Sequence, residues 1–204
     1  VTIIKNILSV KILIGDYRMG KIATPQIITE QIIELCQSIS EFEPIYVPVK
    51  ASFKSHFNEC FPNVAEYVKE YGGQSVFGRC IWQRANVLIE AEAHAVWKSP
   101  NGDLIDITPH INDEKSVLFL IDTQMVYDGY IIPSIRKKLT SSPLVAEFIS
   151  LFNERDQIAA EANGNTYTLT TTMLKRMYEI EELLNQKVGR NDPCPCQSGI
   201  KYKK

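Results

Sequence analysis

Apolar positions in TPQIITEQIIELCQSI recur at Ile27, Ile28, Ile32, Leu35 and Ile39, a helical spacing with Cys36 beside it. Thr24 supplies a cap and Pro25 suits a first helical position, so the pattern predicts a helix over 24–39. PIYVPVKAS, near 45–52, reads as extended, with Pro48 arguing for an edge. In NECFPNVAEYVKEYGG, Val64, Tyr67, Val68 and Tyr71 form one face, and the paired glycines end the run. Pro62 fits the first turn, where its missing amide donor costs nothing. This predicts a helix over 58–73 with Cys60 at, or just before, its amino-terminal end.

The pattern then changes period. SVFGRCIW, VLIEAEAHAVW, DLIDI and SVLFLI are short strand-like runs separated by turn material. Among the turns is SPNGD at 99–103, where Asn101-Gly102 suits positive backbone angles and folds the strand of His94 back on that of Asp106. Beyond residue 139 the helical period returns in SPLVAEFISLFNERDQIAAEANG and TTMLKRMYEIEELLNQ, divided at Asn163-Gly164. The amino-terminal run VTIIKNILSVKILIGDYRMG is broken by Lys5 and Lys11 and lacks a clean small-residue cleavage pattern. It reads as strand or short-helix material of the domain rather than a signal peptide.

Strands in the middle and helices on both sides predict an α+β fold. The expected organisation is one α+β domain over 1–186 followed by a short tail over 187–204. The 204 residues suffice for one substantial core, and 45% apolar with 23% charged residues suits a globular chain. A formal charge of -2 gives no global argument for nucleic-acid binding. No run approaches the roughly 20 apolar residues that span a bilayer, so no membrane partner is expected. Five cysteines, an odd number, argue against a disulfide framework and for reduced thiols in the cytoplasm.

Reduced thiols leave two chemistries open. A thiolate attacks acyl carbons, a helix amino terminus favours that anion, and an imidazole held by a carboxylate accepts its proton. Cys60, His94 and Asp106 supply those three types, and across a turn centred near 100 or 101 the last two should lie almost opposite. The competing reading is a structural histidine bonded to a structural aspartate inside a sheet. A metal reading uses Glu90, Glu92, His94 and Asp106, although no zinc-protease spacing accompanies them. Cys80, in GRCIW, is expected as a packed strand residue without help from a helix end. His56 and His110 are alternative bases, each expected to lack as good an acidic partner as His94.

The segments ECFPNVAEYV and HAVWKSPNGDLIDITP resemble the papain-like and transglutaminase-like superfamily of cysteine enzymes over residues 50–122. The resemblance implies an antiparallel sheet with packed helices, Cys60 as nucleophile, His94 as base and Asp106 as orienting acid. It implies a thiol hydrolase, deamidase or acyltransferase that acts on a protein or other acyl or amide substrate and needs no cofactor for that chemistry. The amide of Cys60 or Phe61, or the side chain of Gln74, would serve the oxyanion, and Trp82 and Trp97 would wall the acyl group. Phe61 and Pro62 after the cysteine depart from the transglutaminase pattern, so amide crosslinking is not implied.

The tail GRNDPCPCQSGIKYKK resembles the SEC-C zinc-binding motif: an Asp-Pro lead-in, Cys194 and Cys196 one residue apart, Ser-Gly and a basic end. The resemblance implies a zinc knuckle. Cys194 and Cys196 provide two of the four ligands structural zinc usually takes, and the second pair is expected beyond Lys204. Zinc is therefore expected in a longer tail, and absent or weakly held in this one. Lys187, Arg190, Lys201, Lys203 and Lys204 against Asp192 suit contact with a ribosome, RNA or an acidic protein surface. The second functional expectation is accordingly a noncatalytic adaptor recruited through this motif.

Overall fold

The computed structural model describes residues 2–3, 22–164 and 166–185. In chain order the elements are β1 (Thr2–Ile3), α1 (Glu30–Gln37), β2 (Ile45–Pro48), α2 (Cys60–Tyr71), β3 (Gln74–Arg84) and β4 (Leu88–Lys98). They continue with β5 (Leu104–Ile105), β6 (Ser116–Ile121), β7 (Ile135–Lys138), α3 (Pro143–Glu161), β8 (Tyr167–Thr168) and α4 (Thr171–Asn185). The α+β class and the mainly antiparallel pairing agree with the sequence pattern.

The residues sort into two compact units. Among the described residues, one comprises Ala23–Gln83 and Ile89–Asp128, the other Arg84–Leu88, Thr2–Ile3, Ile22 and the described chain from Gly129 to Asn185. In the first unit the strand order is β2-β6-β3-β4-β5. β6 runs antiparallel to both neighbours, with Val117 opposite Val47 and Phe119 opposite Cys80.

This sheet curls until its edges meet. The Asp106 amide donates to the Pro48 carbonyl at 3.0 Å, the Lys50 amide to the Asp106 carbonyl at 2.8 Å, and the Ser52 amide to the Ile107 carbonyl at 2.9 Å. Strands in a sheet lie about 4.8 Å apart, so a flat sheet of five would hold its edges far beyond bonding reach. Rolling brings residues of all five strands into one inner cluster: Val47, Cys80, Val96, Val117 and Phe119, joined by Trp82 and Leu104.

Period-2 alternation sends the other side chains outward. Phe77, Ala95, Trp97, Ile105 and Ile107 meet Phe61, Val64, Tyr67 and Val68 of α2. α2 ends as its sequence demands. Gly72 and Gly73 have φ of 71° and 85°, and a Cβ on Gly73 would lie 2.2 Å from the Lys98 carbonyl oxygen.

The SPNGD turn differs in detail from expectation. Only Gly102 takes a positive φ, 96°; Asn101 does not. Ser99 accepts from Gly102 and donates to Asp103, which makes a three-residue loop centred on Asn101. Trp97 consequently faces Ile105 and Lys98 faces Leu104. Continued, this register sets Asp106 opposite Val96, so Asp106 and His94 are diagonal neighbours on one face rather than directly opposed.

The helix expected from Thr24 begins instead at Glu30 with Thr29 before it. Ala23 exchanges two backbone bonds with Gln83, and the Pro25 carbonyl accepts from the Tyr46 hydroxyl, so this stretch is committed to the sheet. Ile27, counted on the apolar face, is 73% exposed, whereas Ile32, Leu35 and Cys36 are buried.

In the second unit Leu88, Leu144, Phe148, Phe152, Leu169, Met173, Met177 and Ile180 form the core. Ser142 accepts from the Val145 amide and Pro143 opens α3, the arrangement expected of a capped start. Asn163 and Gly164 separate α3 from β8 with φ of 48° and 74°, and β1 pairs with β8. The rest of the amino-terminal run, from residue 4 to 21, lies outside the described residues.

Candidate functional site

On the inner face of the curled sheet, β4 carries His94 and the chain just beyond β5 carries Asp106. His94 Nε2 and Asp106 Oδ2 are 2.9 Å apart, and the carboxylate is completely buried. The pair expected from the sequence is therefore in contact. Asp106 is held on both oxygens, because the Thr108 amide donates to Oδ1 at 2.9 Å.

The same Oδ2 has a second imidazole partner. His110 Nε2 lies 2.7 Å from it, closer than His94. This corrects the expectation that His110 lacks a comparable acidic partner. The turn made when Asp106 Oδ1 takes the Thr108 amide, followed by Pro109, folds the chain back so that a residue four further on meets the carboxylate. The Asp-Ile-Thr-Pro-His run contains the signal for that turn.

Cys80, expected as a packed residue, is fully buried, and its sulfur, a His94 ring nitrogen and an Asp106 oxygen lie within 4.8 Å of one another. Burial pushes the Cys80 thiol up to about 12, with His94 opposing. For His94, burial works against the imidazolium, but the charges of Cys80, Asp106 and Cys60 and the bond to Asp106 together raise it well above its ordinary value. Since Cys80 keeps its proton through neutral pH, Asp106 is the charge that counts there. Burial likewise opposes ionisation of Asp106, yet the two histidines hold its carboxyl well below the usual range.

Thiol, imidazole and carboxylate in contact form a proton-relay arrangement. The same donor types suit zinc. However, Asp106 Oδ2 is already occupied by both imidazoles, and Cys80 is sealed in the inner cluster. Glu90 and Glu92 do not join this group of three; Glu92 accepts instead from Trp82 Nε1 at 2.9 Å.

Cys60 is the first residue of α2, on the helix that covers the outer face of the sheet. It is 7% exposed and does not belong to the close group of Cys80, His94 and Asp106, although its charge acts on His94. Glu59 makes no side-chain cap, so the amides of Cys60 and Phe61 have no partner in it. Asn63, one turn along, clasps the His56 backbone through bonds of 2.9 and 2.7 Å and reaches Thr108 Oγ1 at 3.4 Å. That clasp was not legible in the spacing. A cleft of about 520 Å³ opens beside this helix start, lined by Lys54, His56, Glu59, Pro62, Asn63 and Tyr67 among others.

The remaining candidates separate. Trp82 lies on the inner face with its ring edge toward His110, centroids 5.4 Å apart. Trp97 is on the outer face, donating to the Gly72 carbonyl and packed edge-on against Tyr67. Gln74 is exposed at the first position of β3 and does not line the cleft. Cys194 and Cys196 lie outside the described residues.

The SEC-C motif matches residues 190–204, which include both of those cysteines. No solved structure matches the chain. No helix among the described residues is long and apolar enough to cross a membrane.

Proposed function

We propose that this protein carries out thiol-dependent acyl chemistry, hydrolysis, deamidation or acyl transfer, with Cys60 as nucleophile, His94 as base and Asp106 as the acid that orients it. The buried His94–Asp106 bond carries the reading. A carboxylate on one ring nitrogen fixes the proton there and leaves the other nitrogen to accept one. In the reaction His94 takes the Cys60 proton and the thiolate bonds to the acyl carbon. The carbon–nitrogen or carbon–oxygen bond then breaks as His94 returns the proton to the leaving group. Water or an amine, deprotonated by His94, releases the acyl group and restores the thiol.

Two thiols compete for the nucleophile's part. Cys80 touches the imidazole but has no exposed surface and a thiol held protonated to about 12. A substrate carbonyl must reach the sulfur; Cys60 keeps 7% of its surface exposed and follows Glu59, which lines the cleft. The amides of Cys60 and Phe61 at the uncapped helix start suit a developing oxyanion. These three roles are those that the resemblance to papain-like and transglutaminase-like enzymes implies.

The test is the alkylation rate of Cys60 against pH in the intact protein and in His94→Ala, read by mass spectrometry of the modified peptide. A thiolate titrating well below the ordinary roughly 8.5, and lost in His94→Ala, supports the reading. Equal profiles in both proteins overturn it.

The SEC-C match favours a second activity alongside the first. SEC-C motifs typically bind zinc, and Cys194 with Cys196 would give two thiolates to such an ion. The basic residues around them suit recruitment to RNA, a ribosome or an acidic protein surface. If Cys60 proves inert, this adaptor role is the reading that stands.

A further inference from the structure

One carboxylate oxygen serves two imidazoles. His94 Nε2 and His110 Nε2 both donate to Asp106 Oδ2, at 2.9 and 2.7 Å, so each ring carries its proton on Nε2. The two rings are also neighbours, tilted by 36° with centroids 5.7 Å apart. The His110 ring also meets Trp82 in an edge-to-face pair with centroids 5.4 Å apart, and Trp82 Nε1 donates to Glu92.

A carboxylate oxygen shared in this way is less available to either donor. Each additional donor withdraws charge from it, and a proton on one ring opposes a proton on the other. The shorter bond belongs to His110, whose side chain is 12% exposed against 6% for His94. Both histidines therefore draw on the carboxylate, His94 mainly through its charge and His110 mainly through its hydrogen bond.

We infer that His110 is a positioning residue of the thiol centre. Through the shared Asp106 oxygen it fixes the carboxylate and competes for its charge, and so limits how strongly His94 holds a proton. This inference rests on the reading of His94 as base. Without His110, His94 would keep its proton too firmly to return it to a leaving group. With it, the imidazole is oriented yet still able to exchange. The other titratable groups whose charge acts on His94 are Cys80 on β3, Asp106 and, from the helix over the outer face, Cys60.

The experiment follows the His94 ring titration by heteronuclear NMR in the intact protein, in His110→Ala and in His110→Gln. Losing a hydrogen bond to a charged group should raise the His94 midpoint by about one pH unit in His110→Ala. His110→Gln, which retains an N–H donor for the carboxylate, should reverse part of that rise. In an Asp106→Asn background the substitution at 110 should no longer move the midpoint. A His94 midpoint indifferent to residue 110, in variants whose spectra show the native fold, overturns the inference. Cys60 alkylation in the same variants keeps the two readings apart. A moving His94 midpoint with Cys60 unaffected by His94 sustains the His110 role and removes Cys60 as its client. Cys60 coupled to an unmoved His94 does the reverse.

Discussion

Asn63 and Thr108 are joined at 3.4 Å, side chain to side chain, across the start of α2 and the turn that follows Asp106. The same Thr108 gives its amide to Asp106 Oδ1. The helix that presents Cys60 is thus linked by two hydrogen bonds to the carboxylate that holds His94.

Asn63→Ala should therefore harm both stability and reactivity. It strips partners from the His56 amide and carbonyl, and part-buried backbone groups left unpaired cost roughly 1–3 kcal/mol each. A loss of about 2 kcal/mol in denaturant unfolding is the expected result, with a changed Cys60 alkylation rate under native conditions. An unchanged midpoint would show that water replaces the clasp.

Native-state alkylation should discriminate among the thiols of the described residues. Burial, helped by Glu43, raises Cys36 to about 11, and burial raises Cys80 to about 12. Thiols that stay protonated do not attack. Iodoacetamide near pH 8 should modify Cys60 while Cys36 and Cys80 remain intact until the protein unfolds. Rapid modification of Cys80 would transfer the nucleophile's role to it.

The dyad should leave a mark on the pH dependence of folding. His94 sits above its unfolded value, so the stability it contributes is fully present below roughly pH 6.5 and is lost as pH rises through its folded value. Asp106 is depressed, so its contribution is present above roughly pH 4 and drains away as pH falls through its folded value. Unfolding free energies should thus decline at both ends, and Asp106→Asn should flatten both slopes. A variant with the parent's pH profile would mean that neither group is linked to folding.

Arg84 and Glu181 in the second unit form a buried pair at 3.0 Å, with Asn185 supporting Arg84. Burial raises Glu181 against the pull of Arg84, and Glu181 Oε1 has no hydrogen-bond partner. Glu181→Ala alone should cost about 3 kcal/mol, because it strands a buried guanidinium. Replacing both residues by leucine should cost much less. Equal losses in the single and double variants would refute that account.

What could be read in the chain beforehand follows from range. α2 and the turn at 99–103 depend on neighbours in sequence, and both are legible there; that His94 and Asp106 share a face follows only from the observed register. The failed helix start at Thr24 depends on Gln83, and no local pattern announces a distant strand. Cys80 read as packing, which it is; only the rolling of the sheet shows what it packs against. The partner of His110 is not legible in this way, because register arguments apply to strands and His110 lies in the turn beyond one.

Asp106 also joins the two edges of the rolled sheet: its own amide and carbonyl bond to Pro48 and Lys50. Those partners are far away in sequence, so this join is a contact that a folding chain makes at high entropic cost. The dyad consequently has a birth date. A chain still short of closing its sheet has His94 and Asp106 in hand but no fixed place for the carboxylate. Such a chain has both side chains but lacks the hydrogen bond that orients the imidazole.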